Sequence, residues 1–168
     1  MLTVGSIEHQ LGRMQEAMDL FLALPGLTWD AADLHTIIDE AGDFLLGEED
    51  YRNAKALYKL ATEKHPGVAA LHGGLCYAAS KLGDMDEAIA HARRAVEIDP
   101  ENHEHLNALG WTLTLAACYD EAEDVLKKAV AASPPGDVLA KNNLAYLRRR
   151  RRQKSSGAKR CPRTRRRS

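Results

Sequence analysis

The chain has 168 residues, 45% of them hydrophobic and 28% charged, so a core of ordinary size can form and disorder throughout is excluded. Aromatic residues supply only 5%, which argues against a sandwich or barrel of aromatic and β-branched strands and for helices rich in Ala and Leu. The formal net charge of -1 conceals a segregation: residues 1–147 hold 24 acids and 11 Lys/Arg, whereas residues 148–168 hold 12 Lys/Arg and no acid.

Cys76, Cys118 and Cys161 lie far apart and match no metal or redox spacing, so no disulfide framework is expected and a reducing compartment is. The N-terminus has neither a basic leader nor an apolar stretch, and no run approaches the roughly 18 apolar residues a membrane span needs. The expectation is a cytoplasmic chain without a transmembrane segment.

A fixed period organises the sequence. Pro66, Pro100 and Pro134 recur every 34 residues, as do Ala54, Ala88 and Ala122, and again Ala61, Ala95 and Ala129. Further columns are Gly42, Cys76, Gly110; Ala41, Leu75, Leu109; Leu45, Ala79, Leu113; and Tyr58, Ala92, Leu126. Periods of this length mark stacked supersecondary units. In chain order, residues 4–24 (VGSIEHQLGRMQEAMDLFLAL) fit the pattern through Gly5, Gly12, Met14, Ala17 and Phe21, but Ala17 precedes Ala54 by 37 residues, so residues 1–34 read as a degenerate or truncated unit plus linker.

Three full units follow, 35–68, 69–102 and 103–134. Each divides into two amphipathic helices; in the second these are Ala69 to Leu82 and Met85 to Ile98 around a Gly83-Asp84 turn. The prolines end the second helices, because proline lacks the N–H and restricts the residue before it. The small columns let paired helices approach toward the lower end of the usual axis separation of about 8–10 Å. Residues 135–152 restart a first helix, with Leu144 and Ala145 answering Leu109 and Gly110 at a spacing of 35, to cover the last exposed apolar face. Residues 153–168 are of low complexity and are expected to be disordered.

Motifs such as LGDMDEAIAHARRAVEIDP (82–100) and LNALGWTLTLAACYDEAEDVLKKAVAASP (106–134) resemble the tetratricopeptide repeat. The resemblance covers residues 35–134 and implies an all-α, right-handed superhelical solenoid of helix-turn-helix repeats. Two departures stand out: His72 replaces a large apolar residue and Cys76 a glycine.

Catalytic signals are missing. There is no Gly-rich phosphate loop, no HExxH and no nucleophile elbow, so an enzyme, a cofactor and a metal site are not expected. His103 and His105 stand two apart and point to different faces of a helix, which fits polar first-turn residues behind an Asn102 N-cap better than metal ligands. His72 and His91 read as packing or surface residues. The acids Asp84, Asp86, Glu87 and Asp120, Glu121, Glu123, Asp124 suit the starts of second helices.

The resemblance implies that the first helices line a concave groove for an extended peptide or partner helix. Its inward columns would be Asp43, Tyr77, Trp111 with Tyr146, and Asp39, Gly73, Asn107 with Asn142. Such aromatics can stack on a ligand and such amides can bond a peptide backbone; packing of Tyr77, Trp111 and Tyr146 between helices is the competing reading. The family's carboxylate-clamp variety needs Lys and Arg on this face, and Asp39 with Asp43 exclude it. The second candidate site is the tail: Arg148, Arg149, Arg150, Arg151, Arg152, Lys154, Lys159, Arg160, Arg163, Arg165, Arg166 and Arg167, a run suited to polyanions or to the acidic body itself.

The expected function is therefore a protein–protein interaction module or scaffold. The alternatives are an adaptor whose tail binds nucleic acid or anionic membrane while the repeats recruit a protein, and a small secretion chaperone.

Overall fold

The computed structural model describes residues 14–24 and 31–153. They carry α1 (Met14–Ala23), α2 (Ala31–Gly47), α3 (Tyr51–Lys64), α4 (Ala69–Leu82), α5 (Met85–Ile98), α6 (His103–Leu115), α7 (Tyr119–Ala132) and α8 (Leu139–Gln153). Two compact units meet at Asp84 and Met85, the first holding α1–α4 and the second α5–α8. The helix pair expected from the second repeat has the expected bounds. Residues 4–13 and 153–168 fall outside the described residues apart from Gln153.

Local chemistry sets the helix ends. Asp50 caps α3, its carboxylate accepting from the Asn53 N–H at 3.3 Å and from Asn53 Nδ2 at 2.8 Å. Asn102 caps α6 as expected, Oδ1 accepting from the N–H groups of Glu104 (2.9 Å) and His105 (3.2 Å). The turns within the repeats share a feature that only Gly83 advertises in sequence. Glu49, Gly83 and Ala117, 34 residues apart, all adopt positive φ (59°, 86° and 64°). In each case the next N–H reaches back to a helix carbonyl: Asp50 to Leu45, Asp84 to Ala79 and Cys118 to Leu113, each at 2.9 Å. A left-handed residue costs about 1–2 kcal/mol when it bears a Cβ, so Glu49 and Ala117 hold a conformation that the helix-closing bonds and packing impose.

In the first unit the core runs through Phe21, Leu24, Ile38, Ala41, Leu45, Leu57, Tyr58, Leu71 and Leu75. Tyr58 is wholly buried. Its ring lies against both Gly42 and Gly74, where an added Cβ would come within 2.2 Å of Cζ in each case. The Gly42 column thus has its packing reason here, and Gly74 completes the slot from α4. His72, buried on α4, meets the carbonyl of Pro66 at 3.1 Å through Nε2. A hydrogen bond to the preceding loop replaces the apolar contact that the column otherwise supplies.

In the second unit α6 packs on α5 and α7, and α8 packs on both α6 and α7. Ala122 and Leu126 are fully buried, the Leu126 side chain filling the space beside Gly110. Arg93 on α5 donates to both carboxylate oxygens of Glu121 on α7, at 2.7 and 2.9 Å. Ala140 and Leu147 are the buried positions of α8 and stand 34 residues after buried Leu106 and Leu113. The register of the last helix is therefore 34, correcting the spacing of 35 expected for Leu144 and Ala145. Asp137 fixes it by capping, Oδ1 accepting from the Leu139 N–H at 2.8 Å.

The small columns predict a contrast. Ala88 and Ala122 are fully buried while Ala90 is exposed. Ala88→Leu or Ala122→Leu should lower stability by about 1–3 kcal/mol through overpacking, and Ala90→Leu should leave the urea midpoint nearly unchanged.

Candidate functional site

The first-helix residues of the first unit form an acidic face. The Tyr58 hydroxyl, reaching α2 from the glycine slot, lies 3.1 Å from Asp39 Oδ1 and 3.3 Å from both Asp43 Oδ1 and the Asp39 carbonyl. One phenolic proton is available to these three acceptors. Beside them is a cavity of about 220 Å³ lined by Thr36, Asp39, Glu40, Asp43, Val68 and Ala70. Burial pushes the Asp39 carboxyl above its ordinary range and the charge of Asp43 adds to this, while the Tyr58 hydrogen bond opposes both. Burial next to two carboxylates likewise keeps the Tyr58 phenol protonated.

The raised folded-state value means that the fold favours neutral Asp39. That stabilising contribution is present below the unfolded carboxyl pKa and is lost as pH rises through the folded one. Asp39→Asn should accordingly gain melting temperature relative to the parent at pH 7 and show a smaller gain at pH 3, in paired thermal scans.

Tyr77, on α4, is 47% exposed. The Lys81 ammonium sits 5.2 Å from its ring centroid and 5.5 Å from that of Tyr51. This aromatic column position thus already holds a cation from its own helix.

In the second unit the structure brings candidate residues of α6 and α8 together. Trp111 and Tyr146 meet with ring centroids 5.2 Å apart and planes tilted by 49°, and Tyr146 remains 43% exposed. Asn107 Oδ1 accepts from Nδ2 of Asn143 at 2.9 Å. Asn143, rather than the exposed Asn142, is the amide facing Asn107, because it shares the face of α8 that carries buried Ala140 and Leu147. Arg150 lies 6.0 Å from the Tyr146 centroid and donates from Nη1 to its hydroxyl at 3.5 Å. At the other end of the same pair of helices, His103, Glu104, Asn107, Asp137 and Leu139 line a cavity of about 390 Å³. His103 Nδ1 is 3.4 Å from Asp137 Oδ2. The N–H of Leu139 holds the Asp137 carboxyl below its ordinary range, helped by Ser133, His103 and Lys141.

The basic run begins inside the fold. Arg148 donates to Glu123 Oε1 from Nε at 3.1 Å and from Nη2 at 3.0 Å. Arg151 reaches Glu123 Oε2 at 3.2 Å and Asp120 at 2.5 Å. The Arg148 bond, with Lys127 assisting, lowers the Glu123 carboxyl. Two arginines of the candidate tail and two acids of the α7 start thus neutralise one another. Arg149 and Arg152 are exposed on α8, while Lys154, Lys159, Arg160, Arg163, Arg165, Arg166 and Arg167 lie outside the described residues. Sequence reading missed Asn143, Gly74 and the role of Tyr58. The sequence did not separate Asn143 from its neighbour Asn142, since the burial of Ala140 and Leu147 is what fixes which face of α8 turns inward.

Among the described residues no helix is long and apolar enough to cross a membrane, and no three His, Cys, Asp or Glu side chains converge as metal ligands would.

Comparison with known proteins agrees with this architecture. The Tetratricopeptide repeat family model matches residues 45–112. The small glutamine-rich tetratricopeptide repeat-containing protein 2 of Mycosarcoma maydis is 31% identical over 100 residues, covering 60% of this chain; the match spans 28% of that relative's length. The crystal structure of the Sgt2 TPR domain from Aspergillus fumigatus superposes with a TM-score of 0.64 at 22% identity, over 74% of this chain and 83% of that one. The second TPR domain of human RPAP3, solved in complex with an HSP70 peptide, gives 0.60 at 19% identity, over 65% of this chain and 90% of that one. With its 34-residue columns, its paired helices and its recurring left-handed turns, the chain has the tetratricopeptide repeat fold, and its residues 45–112 match that family's model.

Proposed function

We propose that the chain is a protein–protein interaction module that holds a peptide or partner helix against the first helices of its repeats. The observation that carries this reading is the half-exposed Trp111–Tyr146 pair beside the Asn107–Asn143 amides on α6 and α8. Aromatic rings present large contact area at low conformational cost, and amides both donate to and accept from a peptide backbone. The human RPAP3 domain that shares this fold holds an HSP70 peptide. In the first unit, Asp39, Glu40 and Asp43 give the corresponding face an acidic character, suited to a basic segment.

The test uses an immobilised array of random decapeptides probed with the full chain, followed by affinity measurements on the best binders. Trp111→Ala should weaken them about 30-fold, equivalent to roughly 2 kcal/mol for a hot-spot aromatic, while the chain retains a cooperative melt. In a Trp29→Phe background, Trp111 fluorescence should be quenched by acrylamide and protected by bound peptide. Unchanged affinities in Trp111→Ala would overturn the reading.

A further inference from the structure

The seam between α6 and α8 is polarised. At one end stand Glu104 and Asp137, in the cavity shared with His103, Asn107 and Leu139. Lys141, the cation that acts on Asp137 there, leaves this end net negative while His103 is neutral. At the other end Arg150 lies over Tyr146, and among the described residues no carboxylate pairs with it. Arg148 and Arg151, by contrast, are already committed to Glu123 and Asp120. Between the two ends lie the Asn107–Asn143 amide pair and the Trp111–Tyr146 rings.

Helix geometry gives the spacing. His103, Asn107 and Trp111 succeed one another by four residues on α6, and Arg150 lies four beyond Tyr146, the ring that meets Trp111. At about 1.5 Å of rise per residue, three such steps separate the acidic and cationic ends by roughly 18 Å. An extended chain covers that span in about five residues at roughly 3.3–3.6 Å each.

We infer that this seam binds an extended peptide carrying a cationic side chain and a carboxylate about five residues apart, with an apolar stretch between them lying on the Trp111–Tyr146 rings. The inference rests on the interaction-module reading and specifies the chemistry of its ligand in the second unit. The cationic side chain enters the cavity at Glu104 and Asp137, and the carboxylate meets Arg150. Opposite charges at both ends fix the direction of the peptide, which a purely aromatic face does not.

Four end-labelled peptides test this against the full chain by fluorescence anisotropy at low salt: Ac-KPPPPE-NH2, Ac-QPPPPQ-NH2, Ac-EPPPPE-NH2 and Ac-KPPPPK-NH2, with an oligouridylate octamer as a fifth probe. The mixed-charge peptide should bind at least about 10-fold tighter than the uncharged one. Arg150→Gln should weaken the mixed and di-acidic peptides and spare the di-basic one. Glu104→Gln combined with Asp137→Asn should weaken the mixed and di-basic peptides and spare the di-acidic one, the asparagine keeping the helix cap. Equal binding of charged and uncharged peptides, with loss of both in Trp111→Ala, would overturn the inference and leave the interaction-module reading standing. Tighter binding of the oligouridylate than of every peptide would overturn the inference in favour of a nucleic-acid ligand. Absence of binding by all five probes would also overturn it, and the decapeptide array would decide the broader reading independently.

Discussion

Tyr58→Ala should lower the stability of the first unit by about 3–5 kcal/mol, the range for cutting a buried aromatic to alanine. The ring has no exposed surface and is clasped between Gly42 and Gly74, so its removal leaves a slot that two glycine backbones cannot refill. Tyr58→Phe isolates the hydroxyl. It keeps the ring and deletes only the bonds to Asp39 and Asp43, and should cost about 0.5–1.5 kcal/mol. Gly74→Ala attacks the same slot from the other side: its Cβ would fall 2.2 Å from Tyr58 Cζ, forcing the ring or α4 to shift at a cost of about 1–3 kcal/mol. Urea denaturation of the three variants measures all of this. A loss under about 1 kcal/mol for Tyr58→Ala would mean that the ring is not the keystone of this packing.

Leu126→Ala should cost about 2–5 kcal/mol, and its coupling to Gly110 is the sharper measurement. Leu126 is fully buried on α7, and its Cγ would lie 2.5 Å from a Cβ placed on Gly110. Gly110→Ala alone should therefore destabilise by overpacking, about 1–3 kcal/mol. Combined with Leu126→Ala, the new methyl enters space the leucine has vacated, so the double variant should be more stable than the sum of the two losses predicts. Contacting residues commonly couple by about 0.5–3 kcal/mol. Strict additivity would show that the two side chains do not share that space.

The helices were legible because their determinants are local or periodic. Asn102 as N-cap, the Gly83 turn and the closing prolines are read from one segment at a time, and the alanine columns repeat at every turn of the array. The candidate sites were less legible because they depend on which face a residue takes and on partners far away in sequence. Tyr58 occupies a column filled by Ala92 and Leu126 in later repeats, so nothing in the period marks it as the residue that ties Asp39 and Asp43 to a glycine slot. Asn143 was overlooked for Asn142 because one residue of register turns a side chain by 100° on a helix. Only the burial of Ala140 and Leu147 settles which of the two faces Asn107. Glu49 and Ala117 gave no signal of a left-handed conformation, since neither is a residue that favours it.

The arginine run from residue 148 also has a consequence for proteolysis. A trypsin-like enzyme must pull an arginine side chain into its pocket and bind several flanking residues in extended form. Arg148 and Arg151 meet neither requirement: both are helical, and both hold carboxylates of α7. Glu123 is the shared anchor, bonded to the two arginines at once. Neutralising that one glutamate weakens the grip on two successive turns of α8, so the resistance of Arg148 and Arg151 to cutting should depend on a residue 25 positions upstream of Arg148.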